Sequence, residues 1–154
     1  MIEEFTSNFT DKKIENIVKI KHKYYLLEKD EKKVFDKIPL DAELVGLFLG
    51  EDKKDMFSPS LAFLDILSKI SDKKVFVDEK SAWLFLCGRD IMGRAIVKAN
   101  VNKGLALIQD KDDRNLGFGK IISDLRERND RIVIKNILDR GDYLRREMDG
   151  KKKR

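Results

Sequence analysis

The chain contains one cysteine, Cys87, one histidine, His22, and two prolines, Pro39 and Pro59, among 154 residues. A lone cysteine excludes an internal disulfide and fits a reducing compartment, so the fold must be held by packing. A lone histidine with no ligand partners at metal-binding spacing excludes a His-rich metal site. Cys87 has no companion His and Asn pattern for nucleophilic catalysis, and it closes an apolar run, which predicts a buried and inert thiol. No apolar stretch approaches the roughly 20 residues needed to span a bilayer. The opening Met1-Ile2-Glu3-Glu4-Phe5 lacks the basic and apolar segments of a signal peptide. Gly117-Phe118-Gly119 is not followed by the Gly-Lys-Ser/Thr of a phosphate loop. The expectations are therefore a cytoplasmic protein that is not an enzyme, with no catalytic residues, cofactor, metal, membrane contact or small-molecule substrate.

What the chain has in abundance is charge, at 40% of residues against 42% hydrophobic. It is unevenly placed. Residues 1–72 hold 12 Lys/Arg and 15 Asp/Glu, whereas residues 73–154 hold 21 against 13, so a net −3 is followed by a net +8. An excess of one sign confined to one half is the electrostatic footprint of a polyanion binder. The alternative is a basic tail that keeps the protein dispersed, since residues 140–154 carry 7 of the positive charges and only 3 negative ones.

β-Branched and aromatic content predicts strands over 14–20 and 22–27, and strong helix formers predict a helix over 28–37 with Leu27, Val34, Phe35 and Ile38 on its apolar side. Residues 44–49 read as a short apolar strand. A helix is predicted over 59–70, with Ser58 as N-cap, Pro59 at the first position, and Leu61, Phe63, Leu64, Leu67 and Ile70 as its buried stripe. Asp72-Lys73-Lys74 marks the junction between the halves. In the second half, 75–77 is a strand, Asp78 caps a helix running to about Cys87, and Gly88 is its left-handed C-cap. Strands follow over 95–100, 103–109, 116–122 and 131–137, with the plainest turn at 110–115. Short strands at this spacing around one helix predict a small barrel-like β domain.

Trp83-Leu84-Phe85-Leu86-Cys87-Gly88, Gly104-Leu105-Ala106-Leu107-Ile108, Leu116-Gly117-Phe118-Gly119 and Asp139-Arg140-Gly141-Asp142-Tyr143-Leu144-Arg145-Arg146-Glu147 together resemble a PUA domain. PUA is the RNA-binding module shared by pseudouridine synthases and archaeosine transglycosylases. The pairing of Leu-Gly-Phe-Gly with the Asp-x-Gly-Asp-Tyr-Leu-Arg-x-Glu end is most similar to the Nip-seven family, large-subunit ribosome-biogenesis factors of archaea and eukaryotes. Within the first half, Leu44-Val45 and 62–67 fall as in that family's N-terminal domain, while the resemblance implies a longer opening helix and strand than stands before Tyr24. It implies an α+β protein: a small N-terminal α/β domain over 1–72, a PUA-like pseudo-barrel of short strands with one main helix over 73–149, and a basic tail over 150–154. It also implies a non-catalytic adaptor for rRNA precursors, favouring single-stranded U-rich RNA and partnered by other ribosome-assembly or RNA-processing factors. Two other readings stay open, a protein–protein adaptor within an assembly complex and an accessory module for tRNA modification or translation.

The resemblance places Arg145 and Arg146 at the family's C-terminal basic pair. On an extended segment adjacent side chains point to opposite sides, so only one can face the domain. Guanidinium groups bind phosphate bidentately and stack on unpaired bases. The competing reading is that Arg145 pairs with Asp142 or Glu147 on a solvated surface. Lys151 and Lys152 open a run expected to stay disordered until it meets a phosphate backbone. In the loop after the main helix, Gly88 and Gly93 would let backbone approach RNA, with Arg89, Arg94 and Lys98 as contacts by position in the family fold; Arg89 could equally cap the helix. Gly117 and Gly119 read as close backbone packing, Gly141 as a positive-φ position, Tyr143 as packed, and Trp83, Phe85, Tyr24 and Tyr25 as core.

Overall fold

The computed structural model describes residues 1–28 and 46–152. The helix expected over 28–37 lies outside the described residues beyond Glu28, as do residues 44–45 of the next strand. The backbone divides into two compact units, Met1–Ile70 and Ser71–Arg154.

The first unit holds α1 (Ile2–Ser7), β1 (Ile17–Ile20), β2 (Lys23–Leu26), β3 (Leu47–Lys53), β4 (Met56–Pro59) and α2 (Leu61–Ile70). Its four strands form an antiparallel sheet in the order β1-β2-β3-β4. Lys21 and Lys54, at φ 56° and 51°, make the two tight reversals. The helix starts later than its sequence suggests. Pro59 stays in the edge strand β4, where a missing N–H is tolerated, and Ser60 rather than Ser58 caps the helix: its Oγ accepts from the Phe63 amide at 3.1 Å. Phe63, Leu64 and Leu67 are fully buried, and the Phe63 ring meets Phe57 and Phe5 in an aromatic cluster that also takes in Phe9. Tyr24 and Tyr25 are buried, as their strand placement implies.

The second unit holds β5 (Lys74–Val77), α3 (Glu79–Leu86), β6 (Ile91–Met92), a 3-10 turn (Gly93–Ala95), β7 (Ile96–Ala99), β8 (Gly104–Gln109), β9 (Asn115–Ile121), β10 (Ile132–Asp139) and α4 (Arg140–Lys152). The strands order as β6-β10-β9-β8-β5-β7, all neighbours antiparallel except β5 with β8. Chain length forces this sheet to curl. Laid flat, its six strands would put the edges about 24 Å apart, at about 4.8 Å per neighbour. Yet the two edge strands β6 and β7 are joined by Gly93–Ala95, which spans at most about 14 Å. The result is the half-barrel expected from the strand spacing, with an α+β architecture. Its interior holds Val75, Val77, Phe85, Ala106, Ile108, Val133 and Ile134.

Gly117 and Gly119 are explained by packing. A Cβ on Gly117, at φ +143°, would lie 2.0 Å from the Leu138 carbonyl oxygen, and one on Gly119 would lie 2.7 Å from that of Lys135. Both approaches are to β10, beside the register shift between Asn136 and Leu138.

Candidate nucleic-acid interface

The main helix ends as its residues dictate. Asp78 caps α3 by accepting from the Ser81 amide at 2.8 Å. At the other end the Gly88 amide donates to Phe85 and the Arg89 amide to Leu84, a Schellman closure made possible by Gly88 at φ +87°. Carbonyls of the last turn also face a polar cluster. Asn136 Nδ2 donates to the Phe85 carbonyl at 3.0 Å, and Arg145 Nη1 donates to the Leu86 carbonyl at 2.6 Å. Arg145 Nη2 also reaches both carboxylate oxygens of Asp139, at 2.9 and 3.2 Å, and Asn136 donates to the same carboxylate at 3.2 Å. Asp139 is buried, and its bonds hold the Arg145 proton more firmly than usual.

The helix α4 corrects four expectations. Arg145 and Arg146 do not lie on an extended segment; they are in the second turn of α4. They still diverge, by about 100° of helical rotation rather than by strand alternation. Arg145 turns onto the buried Asp139 while staying 42% exposed, and Asp142, one of the two acids weighed for it, stands 3.9 Å away as a second partner. Arg146 turns outward, 68% exposed, and pairs with Asp142 at 2.7 Å. Gly141 has no positive φ: it is helical, and a Cβ there would fall 1.9 Å from the Leu86 carbonyl oxygen. Close approach of α4 to the end of α3 is what requires it. The helix continues through Lys151 and Lys152, so the start of the basic run is helical rather than disordered, and Lys151 is exposed.

The loop after α3 also differs from expectation. The space over Gly88 is occupied by the Arg145 guanidinium, 3.3 Å from where a Cβ would stand. The space over Gly93 is occupied by the Glu127 carbonyl, 1.8 Å from such a Cβ. Both glycines serve internal packing. Arg89 is exposed; its backbone carbonyl accepts from Asn136 at 3.3 Å, and its side chain has no ion pair among the described residues. Arg94 pairs with Asp130 at 3.1 Å and shares a recess with Asp78 and Asp90, so its surroundings are partly acidic. Lys98 lies exposed on the edge strand β7, 5.7 Å above the Phe76 ring. The fold thus gathers Arg89 and Arg145 around the Asn136–Asp139 cluster, and puts Arg94 within the 3-10 turn and Lys98 on the strand that follows it.

Trp83 and Cys87 do not fit their predicted burial: Trp83 is 65% exposed and Cys87 is exposed, while Phe85 and Ala82 enter the core. An eight-residue helix packed on one side must present Trp83 and Cys87, four apart, on its other side. The fully buried Gln109 and the buried Asn115 form a second polar cluster, with Lys74 reaching Asp113 at 3.0 Å and Gln109 Nε2 donating to Asp113 at 2.9 Å. Those two bonds hold the Asp113 carboxyl below its ordinary range, the Gln109 bond first. Among the described residues no group of His, Cys, Asp or Glu could hold a metal ion, and no helix is long and apolar enough to cross a membrane.

Residues 73–148, the segment carrying the curled sheet, α3 and the Arg145 anchor, match the UPF0113 PUA domain family. The carboxy-terminal half is thus similar to the UPF0113 PUA domain family. A curated UPF0113 protein of Archaeoglobus fulgidus is 31% identical over 114 residues, covering 69% of this chain and 64% of that protein. The chain therefore spans just under two thirds of the curated relative it matches. A conserved PUA domain protein from Thermoplasma acidophilum superposes with a TM-score of 0.58 at 17% identity, over 95% of this chain and 91% of its own. A hypothetical protein from Pyrococcus horikoshii has a TM-score of 0.49 at 21% identity, over 80% of this chain and 72% of its own. At 17% identity the likeness to the Thermoplasma protein speaks for the PUA-like fold alone.

Sequence reasoning passed over the arginines of the PUA domain's β9–β10 connection, although Arg126, Arg128 and Arg131 crowd into six residues. That density was a visible signal. Their acidic neighbours Asp124, Glu127 and Asp130 masked it in a simple count.

Proposed function

We propose that this protein binds RNA through its PUA domain and acts, without chemistry of its own, as a ribosome-biogenesis factor of the Nip-seven type. Its target is the rRNA precursor of the large subunit, engaged as single-stranded, U-rich segments together with other assembly or RNA-processing factors. The observation that carries this reading is the coincidence of the PUA segment, 73–148, with the half of the chain that holds 21 cations against 13 acids. Arg89, Arg94, Lys98, Arg146, Lys151 and Lys152 are proposed to meet phosphate; Arg145 contributes through the face it orders as much as through its own charge. A cytoplasmic site of action goes with this role.

Binding of a fluorescein-labelled oligouridylate, followed by anisotropy across a salt series, tests the proposal. For single strands log K falls against log salt with a slope of about −0.7 per neutralised phosphate, so four to six contacts give roughly −3 to −4. The Arg146→Ala, Lys151→Ala double variant should shallow the slope by about 1.4 on the same scale. Absence of any salt-dependent binding by the unaltered protein discards the reading. Crosslinking in cells with sequencing of the attached RNA then separates rRNA precursors from tRNA, the target under the accessory-module alternative. The adaptor alternative is favoured by the exposed apolar side chains Trp83, Leu144 and Met148. It expects a protein partner that survives nuclease and high salt in a pull-down.

A further inference from the structure

A cleft of about 880 Å³ opens between the β7–β8 connection and the β9–β10 connection of the PUA domain. Its walls carry Lys73, Lys103, Arg126 and Arg128 with the amides of Asn100 and Asn102, and Asp124 is its single acid. Four cations against one carboxylate leave a net charge of about +3 in a concave setting, where low-dielectric walls focus the field on an incoming anion.

The cleft is built rather than accidental. Leu125 is buried in the core and pins the loop, so the residues on either side of it project at the rim. Arg126 is clamped bidentately by Asp124, at 2.9 and 3.1 Å, and remains 91% exposed, an arrangement that orders the guanidinium while salt and solvent screen the pair. Arg128 donates one N–H to the Ile96 carbonyl and keeps the rest of its fork of donors. Neither Lys73 nor Lys103 has an ion pair among the described residues.

The same loop continues into the neighbourhood of Arg94. The Gly93 amide donates to Arg131 O and the Arg94 amide to Asn129 O, both at 2.9 Å, and Asp130 pairs with the Arg94 side chain. One short connection therefore carries cations from the cleft to the edge of the 3-10 turn. From Arg126 to Asn129 is at most about 11 Å of chain, short enough for one strand of nucleic acid to touch both.

We infer that this cleft is a second RNA-backbone site: Lys73, Lys103, Arg126 and Arg128 hold phosphodiester groups of a strand whose neighbouring nucleotides lie at Arg94. The amides of Asn100 and Asn102 suit ribose hydroxyls and base edges, and the Arg fork suits a phosphate where Lys acts as a point charge. The inference rests on the RNA-binding reading and locates part of it on residues that reading does not use.

The test uses the full chain and a labelled 12-nucleotide single-stranded oligouridylate. The Lys103→Gln, Arg126→Gln double variant should bind roughly twentyfold more weakly at 0.1 M salt and show a slope shallower by about 1.4, two phosphates at about 0.7 each. Both positions are exposed, so its melting temperature should stay that of the unaltered protein, and Lys103→Gln alone should give about half the change in slope. In parallel, RNA should protect Lys73 and Lys103 from acetylation while Lys12 and Lys13 of the first unit stay reactive. If the unaltered protein binds the oligonucleotide but the double variant keeps its slope and the two lysines stay reactive, the cleft assignment falls and the RNA reading stands. If the unaltered protein does not bind, both fall. Protection by millimolar inorganic phosphate equal to that by the oligonucleotide would make the cleft a small-anion pocket and overturn the inference.

Discussion

At the start of α4, Arg145 is turned into the protein, bonded to a buried carboxylate and to a carbonyl of a helix 59 residues away in sequence. On the connection after β9, Arg126 stands 91% exposed, held only by the exposed Asp124 two residues before it. The two arginines count alike in a tally of charge. One closes the fold and the other faces solvent, and the difference lies in whether the neighbouring acid is buried. Asp139 has few water contacts to lose, so it commands its arginine; Asp124 is solvated and only biases one. A cationic surface must therefore be read after subtracting the cations that internal acids have already claimed. On this domain that subtraction removes Arg145, and it leaves Arg89, Lys98, Lys103, Lys151 and the β9–β10 arginines facing solvent.

The comparison breaks most decisively at Asp139. Asp139→Ala leaves Arg145 and Asn136 without their shared acceptor, and should reduce unfolding free energy in urea by about 2 kcal/mol, below the 3–5 kcal/mol of a fully enclosed pair because Arg145 is 42% exposed. A double-mutant cycle with Arg145→Ala isolates the pair; a coupling below about 0.3 kcal/mol, no more than independent sites show, would mean that Arg145 is as free as Arg126.

A smaller effect is expected at Lys74, a sheltered cation whose acid, Asp113, is exposed. Its partner Asp113 has a carboxyl held low by Gln109 and Lys74, so the contribution is present above the unfolded-state value near 4 and is lost as pH falls through the lowered folded-state value. Asp113→Asn should lower stability at pH 7 by about 0.5–1 kcal/mol after screening, and should flatten the acid limb of the stability curve below about pH 4. An acid limb identical in the two proteins would remove Asp113 from the anchored group.

The smallest change is expected at Trp83. With 65% of the side chain exposed, Trp83→Ala should alter stability by no more than about 0.5 kcal/mol. As the sole tryptophan, it should emit at the wavelength of a solvated indole in the native state. A blue-shifted emission, or a large loss of stability, would place Trp83 in a packed interface and undo its assignment to the free surface.

Most strands of the PUA domain were legible in the sequence, because alternation and β-branched runs over 95–100, 103–109, 116–122 and 131–137 fall on β7 to β10 within a residue or two. The helix α3 was legible from Asp78 and Gly88 at its two ends. The two-residue β6 carried no periodic signal. The helix α4 was missed for a physical reason: it is tied down by Arg145 and by the close approach at Gly141, not by an apolar stripe, and its only large apolar residues besides Tyr143, Leu144 and Met148, are exposed. Trp83 and Cys87 were misplaced because an apolar run in a short helix does not say which of its sides meets the sheet.

The order of residues alone fixed the partition of charge between the halves, the alternation that makes strands, and the glycine and terminal motifs that mark a PUA domain, since these depend on neighbours along the chain. Which cations stay free was decided only by the folded domain. Asp139 can claim Arg145 because the β10–α4 junction is folded against the end of α3, and Arg126 comes near Lys73 and Lys103 because two connections of a curled sheet meet at one rim. Electrostatic strength depends on distance and burial, and both are properties of the fold.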